Sequence, residues 1–178
     1  VDLASLNVTQ LTKREGPSVA PKVSPDGSRI AFLGFDDRYT SNQEYSLWVM
    51  NRDGSGARSL TGALDIGVAD FAWDGKGGLY YLYDEQGTTK LAYTSGSGGG
   101  RAVASGLGGE DIGRPYSGAS LSVARDGTVA TNVTTPTDPG EVAVIKRGNV
   151  RPLTRLTDDV FAIRDLASVE EIWSTAPD

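Results

Sequence analysis

The side chains with chemistry to offer are mostly carboxylates. The chain of 178 residues contains no histidine and no cysteine. The usual general base of a Ser-His-Asp triad is therefore absent, and so are the commonest ligands of zinc. No G-x-S-x-G elbow occurs, so the serine nucleophile of a hydrolase is missing as well. Asp36-Asp37 and Asp158-Asp159 are adjacent carboxylates of the kind that bind calcium. Neither belongs to a run of alternating oxygen ligands around a central glycine, so solvated loop charge is the simpler reading. Gly96–Gly100 (GSGGG) lacks the Gly-Lys-Ser/Thr ending of a phosphate loop and reads as a turn. Asn7 and Asn132 open Asn-x-Thr triplets, but both fall in predicted strands, which favours coincidence over glycosylation. These readings leave no catalytic residue, no metal site and no cofactor.

What remains is a question of position, and a repeat answers it. Pro21–Thr61 reads PKVSPDGSRIAFLGF, a polar loop, then EYSLWVMNRDGSGARSLT. Weaker copies run VADFAWDGKGGLYYLYDEQGTTKLAYTSGSGGGRAVAS and ASLSVARDGTVATNVTTPTDPGEVAVIKRGNVRPLTRLT. The first turn falls at Asp26-Gly27, Asp74-Gly75 and Asp126-Gly127, a period of roughly 50 residues, in the range of propeller blades. The apolar runs are short, β-branched and aromatic, and end at Gly, Pro, Asn or Asp, as strands do.

The first unit has strands at Pro21–Ser24, Arg29–Phe35, Tyr45–Met50 and Arg58–Leu60. The second has them near Val68–Trp73, Gly78–Tyr83, Thr89–Thr94 and Arg101–Ala104. The third has them near Ala119–Ala124, Thr128–Val133, Glu141–Lys146 and Pro152–Arg155. An orphan outer strand, Asn7–Leu11, precedes them and, with Thr12, echoes the Leu-Thr endings of the later units. Asp36–Asn42, Gly106–Pro115 and Thr134–Gly140 are the long connections. Ile30 and Phe32 oppose Ala31, Leu33 and Phe35, and the next strands repeat the pattern, so both sheet faces are apolar. A sheet with one wet face alternates apolar with polar residues instead. Each sheet is therefore expected between two others: an all-β, partial β-propeller of about three four-stranded antiparallel blades. The blades lie near 17–61, 66–105 and 113–157, within a unit spanning 1–160. A connector with a C-terminal strand follows at 161–178.

In that architecture the first strand of each blade lines a central channel. Asp70 lies in one such strand, and Arg114 and Tyr116 flank Pro115 before another. All three are candidates for touching a peptide in transit, with a rim hydrogen bond as the plainer alternative. Trp48, Trp73 and Trp173 read as core or blade-interface anchors.

Composition sets the remaining bounds. The net charge is −6, with acidic and basic residues interspersed, so no basic stripe is available for nucleic acid. No apolar run reaches the length of a membrane span. The chain opens on Val1 and stops at Asp178 in what reads as a further strand-turn, as a piece of a longer protein would. Cytoplasm and periplasm are both compatible with the composition.

SPDGSRIAFLG followed by SLWVMNRDGSGARSLT resembles the propeller repeat of TolB-type proteins and of the prolyl oligopeptidase family of serine peptidases. LTRLTDDVFAIRDLASVEEIWSTAPD is similar to the junction where the propeller of acylaminoacyl-peptidase-like and dipeptidyl-peptidase-like members passes into the α/β-hydrolase domain. The resemblance implies a non-catalytic propeller fragment that gates peptide access to an active site lying beyond the junction. It also implies partners: the remaining blades and hydrolase domain of the parent, and the parent's peptide substrate. Self-association through open blade faces is the other expectation. A TolB-like protein-binding module is the alternative function, and a small closed propeller the alternative architecture.

Overall fold

The computed structural model describes residues 1–109, 118–135, 137–170 and 172–175. Its twelve strands form three consecutive four-stranded antiparallel meanders. The first contains β1 (Ser18–Val23), β2 (Arg29–Gly34), β3 (Ser46–Asn51) and β4 (Arg58–Ser59). The second contains β5 (Val68–Trp73), β6 (Leu79–Glu85), β7 (Thr88–Thr94) and β8 (Arg101–Leu107). The third contains β9 (Leu121–Val123), β10 (Val129–Thr135), β11 (Asp138–Lys146) and β12 (Asn149–Pro152). Among the described residues, blades two and three touch in ladder terms only at the Leu107–Val133 pair. Neither sheet closes on itself, as in a partial propeller.

Turn chemistry fixes the repeat. Gly27, Gly77 and Gly127, fifty residues apart, each adopt positive φ between first and second strands. Glycine alone takes that conformation without steric cost. The expected second turn at Asp74-Gly75 is thus displaced: Gly77 takes the left-handed position and Gly75 does not. Asp74 instead opens the turn, its Oδ1 accepting from the amides of Lys76 and Gly78 at 2.8 Å each. Asp26 does comparable work in blade one, accepting from Ser24 Oγ at 2.6 Å and from Ser28 N at 3.1 Å.

The meanders pack face to face. Ala31, Leu33, Leu47, Val49 and Leu60 of blade one bury against Val68, Phe71, Trp73, Leu79 and Tyr81 of blade two. Leu82, Leu91 and Leu107 on the opposite face of blade two join Val129 and Ile145 of blade three. Alternate residues of β6 therefore serve different interfaces, which is why the run LYYLY has no polar face. Each fully buried aromatic or aliphatic side chain contributes about 1.5–3 kcal/mol by leaving water.

Blade three departs from the expectation of two apolar faces. Its inward face carries Val129, Ala143 and Ile145, but its other face carries Ser122, Ala130, Asn132, Val142, Val144 and Arg151. That face is small and mixed because among the described residues no sheet lies against it.

A clasp ends two of the outer strands. Leu60 N donates to Leu47 O at 2.7 Å, and Thr61 Oγ1 accepts from Leu47 N at 2.9 Å. In blade three, Leu153 N donates to Val142 O at 2.7 Å and Thr154 Oγ1 accepts from Val142 N at 2.9 Å. Thr154 also donates to the buried Glu141 carboxylate, which accepts from Leu156 N at 2.6 Å. The Leu-Thr endings of the repeat are therefore stitches that prolong the last ladder by a residue.

Three segments differ from their sequence reading. Asn7–Leu11 forms no ladder, because an outer strand needs a third strand beside it and none lies there among the described residues. The expected loop Thr134–Gly140 is largely ladder, continuing to the Thr135–Asp138 pair. Beyond β12 stands only a short helix, α1 (Asp158–Phe161), with no strand among the described residues that follow. Trp173, expected as an anchor, is 69% exposed because no described element covers it.

Candidate functional site: the first-strand ion pair and the loop-end groove

Asp70 sits on β5, the first strand of its blade, where the alternation of a strand would otherwise expose it. Lys22 on β1 reaches across the blade boundary to its Oδ1 at 2.8 Å. The ammonium also donates to Phe71 O and lies 4.6 Å from the centre of the Phe71 ring. The same Asp70 oxygen accepts from Phe71 N at 2.8 Å, and Trp73 Nε1 donates back to Lys22 O at 2.8 Å. The side chains of Lys22 and Asp70 remain 39% and 33% exposed. Both charges are neutralised and hydrogen-bonded, so the pair aligns two first strands and leaves no free base or nucleophile. Lys22 was not singled out from sequence. Its partner lies 48 residues away, and only the fold brings the two together. Arg114 and Tyr116 lie outside the described residues.

The carboxylate pairs are occupied locally. Asp36 binds Arg14 at 3.0 Å. Asp37 accepts from Tyr39 N and Gln43 Nε2 at 2.8 Å each, bonds that hold its carboxyl below the usual range, Gln43 contributing most. Asp158 approaches Arg155 at 3.6 Å. Asn132 is consumed too: its Oδ1 accepts from Ser120 N at 2.8 Å and its Nδ2 donates to Gly108 O at 2.9 Å. Asn7 is exposed and outside any strand, contrary to its sequence reading.

Side chains on the blade faces form a second, repeated system. Arg58, Arg101 and Arg151 occupy the same outer-strand register, opposite Val49, Tyr93 and Val144. Arg58 donates to Gly96 O in the last turn of blade two at 2.5 Å. Arg101 lies 5.4 Å from the Tyr93 ring centre and borders a groove of about 470 Å³ with Arg147 and Gly148 of blade three. Arg29 reaches Gly77 O at 2.8 Å and stacks 5.0 Å from Trp73, and Tyr80 reaches Gly127 O at 3.3 Å. Burial raises the Tyr80 hydroxyl above its ordinary pKa, with the Asp74 charge adding to it, so it stays a neutral donor. An arginine recurring before Leu-Thr in ARSLT and VRPLT was the sequence signal for this system.

At the loop end of blade one, a groove of about 530 Å³ opens between the β2–β3 loop and the connection from β4 to β5. Its walls include Asp36, Glu44, Asp65, Arg38, Trp48 and Leu64. This arrangement offers carboxylates beside an aromatic edge, suited to contacting a peptide or protein surface rather than to bond-breaking.

No protein-family model matches the chain, and no curated protein matches it. Solved structures do. The β-propeller domain of the Trilobed protease from Pyrococcus furiosus aligns over 80% of this chain and 40% of that one, at 20% identity and a TM-score of 0.53. Acylaminoacyl peptidase from Pyrococcus horikoshii aligns over 77% of this chain and 20% of that one, at 21% identity and a TM-score of 0.57. TolB from Acinetobacter baumannii aligns over 86% of this chain and 36% of that one, at 19% identity and a TM-score of 0.58. The shared feature is the fold. The chain is part of a β-propeller and spans a minor share of each of these proteins.

Proposed function

We propose that the chain is the non-catalytic propeller portion of a serine peptidase of the prolyl oligopeptidase family, screening the active site of an α/β-hydrolase domain. The observation that carries this reading is the stack of three four-stranded blades, similar in fold to acylaminoacyl peptidase, followed in the sequence by the junction-like segment Leu153–Asp178. Such a module acts by geometry: a passage lined by first strands admits narrow, extended peptides and excludes folded ones. Asp70, Arg114 and Tyr116 are the proposed passage-lining residues, with Lys22 holding Asp70 in place.

The test is made on the parent polypeptide and on the 178-residue chain side by side. The parent is expected to hydrolyse short peptides and to lose that activity on labelling by a fluorophosphonate, while the short chain does neither. A parent reading frame with no G-x-S-x-G elbow after this segment would remove the peptidase reading. A TolB-like binding module then becomes the better account, favoured by the carboxylate-and-aromatic groove at the loop end.

A further inference from the structure

The N-terminal segment occupies a place that the repeat defines. In blade one the outer-strand residue Leu60 abuts the last turn of blade two: Gly99 N donates to Leu60 O at 2.7 Å. In blade two, Val103 O faces the corresponding turn of blade three, 3.4 Å from where a Cβ on Gly148 would stand. Leu11 holds the same relation to blade one. A Cβ on Gly54, in the turn between β3 and β4, would meet Leu11 O at 3.0 Å. Leu11 and Thr12 also repeat the Leu-Thr ending of Leu60-Thr61 and Leu153-Thr154. In both of those, leucine N–H and threonine Oγ1 clasp the third strand of their own blade. Beneath Thr9–Arg14 runs a groove of about 660 Å³ floored by Phe32 and Trp48. These are back-face residues of blade one, in the positions that blades two and three bury against a neighbour.

We propose that Asn7–Leu11 is a strand-addition site: the outer strand of a further blade whose other three strands come from outside this chain and lay an apolar face over the half-buried Trp48 and the Arg14 guanidinium stacked on it. The partner is thus a three-stranded antiparallel meander with an unpaired last strand. A second copy of the chain does not fit, because each of its blades already has its own outer strand, β4, β8 or β12. That strand would compete for the place Leu11 holds. The proposal deepens the propeller reading and rests on it, but it is independent of peptidase activity.

The probe is the chain extended at its N-terminus by a copy of its own residues 66–95, which carry β5–β7 without β8. Val1–Leu6 then bridges third and outer strands much as the β3–β4 turn does in blade one. A control extension, residues 66–107, brings its own outer strand. Amide hydrogen exchange at Leu11 is expected to slow by about tenfold or more in the first extension and not in the second. Leu11→Pro, which removes the clasping N–H and with it the Leu11 exchange signal, should return the Thr9 amide of the first extension to the exchange rate of the control, while leaving the melting temperature of the unextended chain unchanged. Exchange at Leu11 that is no slower in the first extension than in the control overturns the proposal. No hydrolysis is measured, so failure of the peptidase reading would leave this outcome intact.

Discussion

The back of blade one and the front of blade three are the two end faces of the stack, and they are built differently. The back is aromatic: Phe32 and Trp48 stack at 6.1 Å, and Trp48 Nε1 donates to Gly34 O at 3.0 Å. Arg14 lies over this pair, 4.3 Å from the Trp48 ring centre, and binds Asp36. The front offers Ala130, Val142 and Val144 between Ser122, Asn132 and Arg151. Large planar side chains need a cover, and the N-terminal segment supplies part of one. Small side chains among polar ones tolerate water. Position in a repeat therefore does not determine how much a blade face depends on a neighbour; side-chain size does.

Both ends are measured against the interior. Phe71 is fully buried between blades one and two. Phe71→Ala should cost about 3–5 kcal/mol in chemical denaturation, and a loss below about 1 would mean the blades are only loosely apposed. Next comes the contrast between ends. Trp48→Ala is expected to cost about 2 kcal/mol, since stacking, cation–π contact and hydrogen bond go together. Val144→Ala on the front should cost less than about 1 kcal/mol, and equal losses would erase the distinction.

The repeated arginines sharpen it further. Arg58→Ala frees Gly96 O and should cost about 1–2 kcal/mol. Arg151→Ala, same register but facing no blade among the described residues, should fall within about 0.5 kcal/mol of wild type. The smallest effect is a pH slope. Hydrogen bonds from the Ser24 hydroxyl, then the Ser28 hydroxyl and amide, draw the Asp26 pKa from 3.8 to about 2. The folded state thus favours the charged form. Its stabilisation is complete above the ordinary value and drains away as the pH falls from 3.8 toward 2. Asp26→Asn should flatten the stability curve in that window. In blade three, Asp126 is lowered chiefly by the Thr128 amide, so its replacement should have the same sign.

Much of the fold was legible because glycine spacing and two-sided apolar strands are local properties. Gly27 and Gly127 were readable as turn positions from their Asp-Gly pairs. Gly77 was not, since Asp74-Gly75 offers the same dipeptide two residues too early and only backbone geometry decides between them. Trp173 looked like an anchor because sequence reports side-chain size but not whether a partner is present. The candidate site was harder still. Asp70 stood out as a charge in an apolar strand, but Lys22 sits in an adjoining blade, and no short-range pattern links them. The mixed front of blade three was hidden in ATNVTT and EVAVIK, which alternate too gently to reveal a sheet without a cover.

Within each blade, every strand is laddered to its immediate predecessor in the chain. Among the described residues, backbone pairing is therefore completed within single fifty-residue modules, apart from the Leu107–Val133 bridge. A gene of this design can lengthen by duplicating whole modules, and a nascent polypeptide can finish one unit before the next is synthesised. Short-range pairing of this kind also lowers the entropic barrier to folding relative to β proteins whose strands must find distant mates.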